Sequence, residues 1–269
     1  MPYPKYEYKY LIRNEQLDTI RARILEMCDY DPYAARLEKR EYTVRSVYYD
    51  TRDMQSYYEK IEGIKYRRKY RVRVYGEHAE DSLSFLEIKH KRGALLTKYR
   101  SPVLYSNLDA FFHDETKEQY VLNLKGDGVS RENARRFMYH YYRRQLHPVV
   151  LVTYDREPFV GRYNGDLRLT LDKRVRAIGQ PTLDGMYDEN GLVSSLKGHT
   201  IFEVKFTRGI PQWCRTLIGD LSLKRQALSK YTICLDSLNR GQRRSTTSRS
   251  AFFAGNGTTI RSEYAGRIH

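Results

Sequence analysis

Long apolar runs are missing from this chain. None approaches the roughly 20 residues a membrane-spanning helix requires, and the start, Met1-Pro-Tyr-Pro-Lys-Tyr-Glu, has no apolar leader core. The expectation is a soluble, cytoplasmic domain. Cysteine is scarce too: Cys28, Cys214 and Cys234 are odd in number and widely spaced, with no CxxC pair and no His at zinc-ligand spacing. They give no support to a disulfide framework or a structural zinc site, and read as reduced core thiols. Acidic charge is the third shortage. Asp and Glu number 33 against 48 Lys and Arg, a formal net charge of +15 with a pI near 9.6. That excess restricts the partners to polyanions: nucleic acid, anionic membrane or phosphorylated small molecules.

What is present is length and alternation. A chain of 269 residues can bury a core of ordinary size in one large domain or two small ones. Period-two patterning marks strands around 4–12, 43–50, 64–75, 83–91, 95–104, 149–159, 166–174 and 200–206. Leu17, Ile20, Ile24 and Met27 recur at helical spacing after Asn14, and Ser130 to Gln145 and Pro211 to Leu221 also read as helices. Helices are thus insertions between strands, in an α+β domain over 1–240. From 241 to 269 the chain is rich in Ser, Thr, Gly and Arg, with five Arg against one Glu, and reads as a basic tail.

The strands divide their chemistry by face. Between Lys65 and Tyr75 one parity holds Lys65, Arg67, Lys69, Arg71, Arg73 and Tyr75, while the other, mostly core-forming, holds Tyr66, Arg68, Tyr70, Val72 and Val74. Glu7 and Lys9 alternate with Tyr6, Tyr8 and Tyr10; Glu87, Lys89 and Lys91 with Leu86 and Ile88. Arg168, Thr170 and Asp172 alternate with Leu167, Leu169 and Leu171, and Glu203 and Lys205 with Phe202, Val204 and Phe206. A single strand of this kind is an ordinary amphipathic strand with its polar face in water. Five such strands, charged mainly with Lys and Arg, point instead to a closed antiparallel barrel of eight strands whose cationic interior holds an anion. A polyphosphate meets that demand, since Arg grips phosphoryl oxygens as a fork and Lys as a point charge. The scattered Glu7, Glu87 and Glu203 then become oxygen ligands for Mg2+ or Mn2+.

The ordered segments Tyr6-Glu-Tyr-Lys-Tyr-Leu-Ile, Val44-Arg-Ser-Val-Tyr-Tyr-Asp-Thr, Lys69-Tyr-Arg-Val-Arg-Val-Tyr-Gly and Phe85-Leu-Glu-Ile-Lys carry a family resemblance. It continues through Thr153-Tyr-Asp-Arg-Glu-Pro-Phe, Leu167-Arg-Leu-Thr-Leu-Asp, Ile201-Phe-Glu-Val-Lys-Phe and Leu228-Ser-Lys-Tyr. From Tyr6 to about Asp236 the chain resembles the catalytic domain of the vacuolar transporter chaperone (VTC) polyphosphate polymerases, within the triphosphate tunnel metalloenzyme superfamily.

The resemblance implies an eight-stranded triphosphate tunnel that transfers the γ-phosphate of ATP to a growing polyphosphate chain with Mn2+ or Mg2+. It makes Lys9, Arg71, Arg73, Lys89, Lys98, Arg156, Arg168 and Lys230 the catalytic phosphate contacts. Lys69, Lys91, Arg100, Tyr154, Lys205 and Ser229 are the supporting ligand contacts, and Glu203, with Glu87 and Glu7, the metal carboxylates. ATP and inorganic polyphosphate are the expected partners, with no nucleic acid; a membrane-protein partner, placing the domain at a membrane's inner face, is an expectation by resemblance alone. Two departures stand out. Lys5 occupies the first position of the E-x-E-x-K pattern, which weakens a triphosphatase reading, and Ala227 stands where some relatives place another Lys. A hydrolase on the same tunnel and a non-catalytic polyphosphate-binding module remain the alternatives.

Overall fold

Residues of alternating polarity form strands because one row of side chains then packs on helices while the other faces away. The computed structural model describes residues 6–93, 95–124, 126 and 128–240. Ten strands form one antiparallel sheet: β1 (Tyr6–Arg13), β2 (Cys28–Tyr30), β3 (Tyr42–Asp50), β4 (Tyr66–Tyr75), β5 (Leu83–Arg92), β6 (Leu95–Leu104), β7 (His147–Gly161), β8 (Arg168–Gly179), β9 (Val193–Ser194) and β10 (His199–Phe206). The main path runs β1-β10-β8-β7-β3-β4-β5-β6, with β2 beside β7 and β9 beside β8. The eight expected strands are the eight of this path. Gly161 permits the tight β7–β8 turn, where a Cβ would lie 2.5 Å from the Asn164 carbonyl oxygen.

The helices are α1 (Leu17–Leu25), α2 (Gln55–Ile61), α3 (Leu108–His113), α4 (Val129–Arg143), α5 (Gln212–Asp220) and a last one, α6, over 230–240. None among the described residues is long and apolar enough to cross a membrane. Two apolar clusters lie on the outer face of the sheet. Tyr70, Val72, Val74, Leu86 and Ile88 pack with Phe111 of α3 and Phe137 of α4. Tyr10, Ile12, Leu169, Phe202 and Val204 pack with Ile20 and Ile24 of α1 and Leu217 of α5. The third cluster is on the inner face, where Tyr231, Cys234 and Leu235 of α6 meet Val44, Tyr48, Val152 and Tyr154. All three cysteines are buried and free, as expected.

The sheet curls but does not close, which corrects the expectation of a closed barrel. Glu7 on β1 reaches Lys89 on β5 at 3.3 Å, although β10, β8, β7, β3 and β4 separate them along the ladder. Strong curvature is required for that. Yet β1 and β6 do not pair. The free edge of β1 takes a bridge from Arg225 to Tyr10 and a Gln226 N–H bond to the Lys9 carbonyl at 2.8 Å. The free edge of β6 takes Val121 opposite Val103 and a Leu122 N–H bond to Pro102. Loop segments therefore satisfy both edges, and each edge is blocked against joining the other. The 241–269 tail and Lys5 lie outside the described residues.

Candidate active site

The inner face gathers one parity of side chain from all eight strands of the path. Cross-strand register puts Arg71 opposite Glu87 and Glu87 opposite Arg100. Glu87, only 1% exposed, is gripped by Arg71 Nε at 2.6 Å, Lys98 Nζ at 2.5 Å and Arg100 Nε at 3.4 Å. Arg71 also donates to the Tyr48 hydroxyl at 3.0 Å, and buried Arg73 donates to Ser46 Oγ at 2.8 Å. Burial alone would push the Glu87 carboxyl pKa up. The charges of Arg71, Arg73 and Lys98 outweigh it and hold the group well below the ordinary carboxylate range.

A second knot joins β1, β10 and β5. Lys9 stands opposite Glu203 in register, bonds Glu7 at 2.7 Å and approaches Glu203 at 3.9 Å. Lys205 pairs with Glu203, and Lys89 with Glu7. Burial and the Glu203 charge raise the Glu7 pKa, but Lys9, Lys89 and Lys205 pull it down to about 2. Glu203 is likewise held well below its usual range, against burial, by Lys205, Lys9, Arg156 and Lys230. Burial lowers Lys89 to about 8 despite Glu7, and Lys9 adds to the drop.

The third knot centres on Asp172, wholly buried on β8. Arg156 holds it as a fork at 2.7 and 2.8 Å, and Lys230 at the start of α6 pairs with it while lying 4.4 Å over the Tyr154 ring. Burial raises its pKa, but Arg156 and Lys230 bring it down to about 2. The approach to α6 is tied in by Lys69 Nζ donating to Ser229 Oγ at 2.5 Å and Lys9 Nζ to the Leu228 carbonyl at 3.3 Å.

Most residues expected from the sequence therefore meet on one face. Arg168 does not join them: at 51% exposure it sits at the rim, 3.5 Å from Asp31. Lys91 lies beyond the three knots, opposite Arg67 in register, and makes no ion pair among the described residues. Sequence reading missed Asp172 and Tyr48 as site members. Asp172 alternates with leucines in plain view, but only register shows that it faces Arg156.

The donor set fits a divalent cation completed by its ligand. Glu7 and Glu203 are diagonal neighbours, both ionised, and the buried Thr170 hydroxyl directly opposite Glu203 has no hydrogen-bond partner. Mg2+ takes one or two carboxylates and fills its shell with phosphate oxygens and water, so a complete protein cage is not needed. Among the described residues no three His, Cys, Asp or Glu form such a cage, and Glu87 stands apart from the other two carboxylates.

Fold and site together describe a curled antiparallel sheet whose inner face gathers Lys and Arg around buried carboxylates. The VTC domain matches residues 4–239, and the chain belongs to that family. Similar solved structures include a Pyrococcus horikoshii OT3 protein at 11% identity, covering 86% of this chain and 98% of that one, with a TM-score of 0.44. A Bacillus halodurans protein assigned as an adenylate cyclase has 12% identity, covers 84% and 94%, and gives 0.44. A Hippeastrum protein assigned as an adenylyl cyclase, described as having a dominant triphosphatase activity, has 12% identity, covers 86% and 96%, and gives 0.43. No curated protein matches the chain by sequence.

Proposed function

We propose that the chain is a metal-dependent phosphotransferase that moves the γ-phosphate of ATP onto a growing polyphosphate chain lying on the inner face. The observation that carries this reading is the convergence of Arg71, Arg73, Lys89, Lys98 and Arg156 on one elongated surface, each beside an ionised carboxylate or a polar anchor. Phosphoryl transfer asks for charge neutralisation and in-line alignment more than for covalent chemistry from the protein. Arg71 and Arg73 are fixed by Tyr48 and Ser46, so their forks are oriented before ligand arrives. Lys89 and Lys98 supply movable point charges. Glu203 and Glu7, with Thr170, would hold Mg2+ or Mn2+, which when bound supplies charge neutralisation at the leaving diphosphate. The attacking oxygen of a polyphosphate end is already anionic, so no general base is required, and among the described residues no ion pair on this face involves a histidine.

Incubating the protein with ATP and Mn2+ or Mg2+, with products resolved by gel, tests this directly. Long polymer and ADP are expected; orthophosphate without polymer would make the protein a hydrolase on the same site. Arg71→Ala should lower turnover on the order of a hundredfold or more. Glu203→Gln should raise the metal concentration needed for half-maximal rate, and an unchanged requirement removes Glu203 from the metal site.

A further inference from the structure

Between the two apolar clusters of the outer face runs a strip of charge that the proposed reaction does not use. Arg45, Thr153 and Arg176 alternate along their strands with the inner-face residues Val44, Val152 and Val175, so their side chains point outward. Register sets them side by side on three neighbouring strands, with Arg45 on β3 opposite Thr153 on β7 and Thr153 opposite Arg176 on β8. Both arginines converge on one carboxylate, that of Glu189 in the segment between β8 and β9. Arg45 Nη2 donates to one of its oxygens at 2.9 Å and Arg176 Nη1 to the other at 2.6 Å. Arg45 Nη1 also donates to the Gly76 carbonyl at 2.7 Å, and its guanidinium carbon lies 5.2 Å from the centre of the Tyr187 ring. Asp155, 3.7 Å from Arg176, is already held by Thr43 at 2.9 Å and by Arg174 at 2.7 Å.

The row holds more donors than Glu189 uses. Arg45 is 3% exposed and Thr153 wholly buried, yet Arg45 Nε, Arg176 Nε and the Thr153 hydroxyl have no hydrogen-bond partner among the described residues. Buried polar groups are normally satisfied. Ion pairs that only clamped the segment to the sheet would need no more than the two Nη contacts already made. Two unused Nε edges with a hydroxyl between them suit a group richer in oxygen than a planar carboxylate, and a tetrahedral phosphoryl dianion is such a group. Because both guanidinium groups reach the same carboxylate, one phosphoryl group spans them. Glu189 is 45% exposed, so its side chain can turn to solvent without unpacking the sheet. We infer that Arg45, Thr153 and Arg176 form an outer-face site for a single phosphoryl group, free or as a monoester, with Glu189 as its built-in competitor. The site lies on the opposite side of the sheet from the residues of the proposed reaction and does not depend on that reading.

Titration calorimetry of the full chain with inorganic phosphate, and separately with glycerol phosphate, tests the assignment in wild type, Glu189→Ala and Arg176→Gln. All three proteins share the inner face, so differences among them report the outer row. Glu189→Ala should bind phosphate about fivefold more tightly, since a half-exposed ion pair no longer withholds the site. Arg176→Gln should bind it on the order of tenfold more weakly. Glu15→Ala, which removes an exposed carboxylate elsewhere, controls for net charge. Glycerol phosphate responding to the same two variants makes the ligand a monoester, a response of inorganic phosphate alone makes it the free ion, and both support the site. Should Arg176→Gln fail to fold, Glu189→Ala decides the matter, because a clamp predicts no gain in affinity. Equal phosphate affinity in all variants, a gain in Glu15→Ala matching that in Glu189→Ala, or weaker binding by Glu189→Ala overturns the site and leaves the row a clamp.

Discussion

Lys89 is a residue whose charge state is set by its burial and its neighbours. Its pKa of about 8, lowered by burial and by Lys9, means that part of the population is neutral at slightly alkaline pH. Lys69 is pushed down more strongly, by burial and then by Lys9 and Lys89. The sign follows from linkage: a lysine depressed in the folded state binds fewer protons than in the unfolded chain between about pH 8 and its ordinary pKa. Free protein therefore gains stability from this group as pH rises through that window. Anion binding does the reverse and should draw a proton in. Calorimetry at pH 8.5 in buffers of different ionisation enthalpy is expected to show net proton uptake on tripolyphosphate binding, reduced in Lys89→Arg. Buffer-independent heats would contradict the assignment. The residues legible from sequence were those on a strand whose alternation is complete, such as Arg71, Arg73, Glu87 and Glu203. Tyr48 was not, because its row on β3, with Tyr42, Val44 and Ser46, carries no charge to mark it until Asp50 and reads as ordinary strand packing.

Among the elements, periodicity did not reveal α2, α3 and α6, and α6 is the one that bears on the site. Its inner side carries Lys230 and Tyr231 next to Cys234 and Leu235, a mixed face because it packs half on apolar sheet and half on ion pairs. By contrast α1, α4 and α5 cover the outer face and show the plain apolar spacing from which they were read. The anchor of α6 is Asp50. Fully buried, it accepts the Ser56 and Tyr57 amides of α2 at 2.8 and 3.0 Å and the Tyr231 hydroxyl, while Tyr57 in turn donates to Asp236. Asp50→Asn should cost about 2–4 kcal/mol of stability, since the donors converging on it, the Thr51 amide among them, lose a charged acceptor. Hydrogen exchange should accelerate in α6 and α2 with α4 unchanged. Uniform acceleration would show a global rather than a local anchor.

For the whole molecule, the eight strands of the main path and their polarity were readable; the short β2 and β9 and the failure to close were not. Whether a sheet joins its own edges depends on what else competes for those edges, here Arg225, Gln226, Val121 and Leu122, and such loop pairings leave no periodic trace. The net charge of +15 sets a molecular-scale expectation. Tripolyphosphate should raise Tm, by the equivalent of about 2.7 kcal/mol at a hundredfold excess over Kd, and sodium chloride should shrink the rise; a Tm indifferent to both would contradict an anion-binding inner face. The grip of Arg71, Lys98 and Arg100 on Glu87 also bears on how such a ligand moves. On the polyphosphate reading proposed above, the carboxylate stands where a phosphate would bind, so an arriving anion would exchange with it and not fill an empty socket. Only the difference between two strong interactions is released, and each step of a sliding chain is a swap of near-equal partners. Such a surface holds a long polymer by many moderate contacts and lets any one of them go quickly.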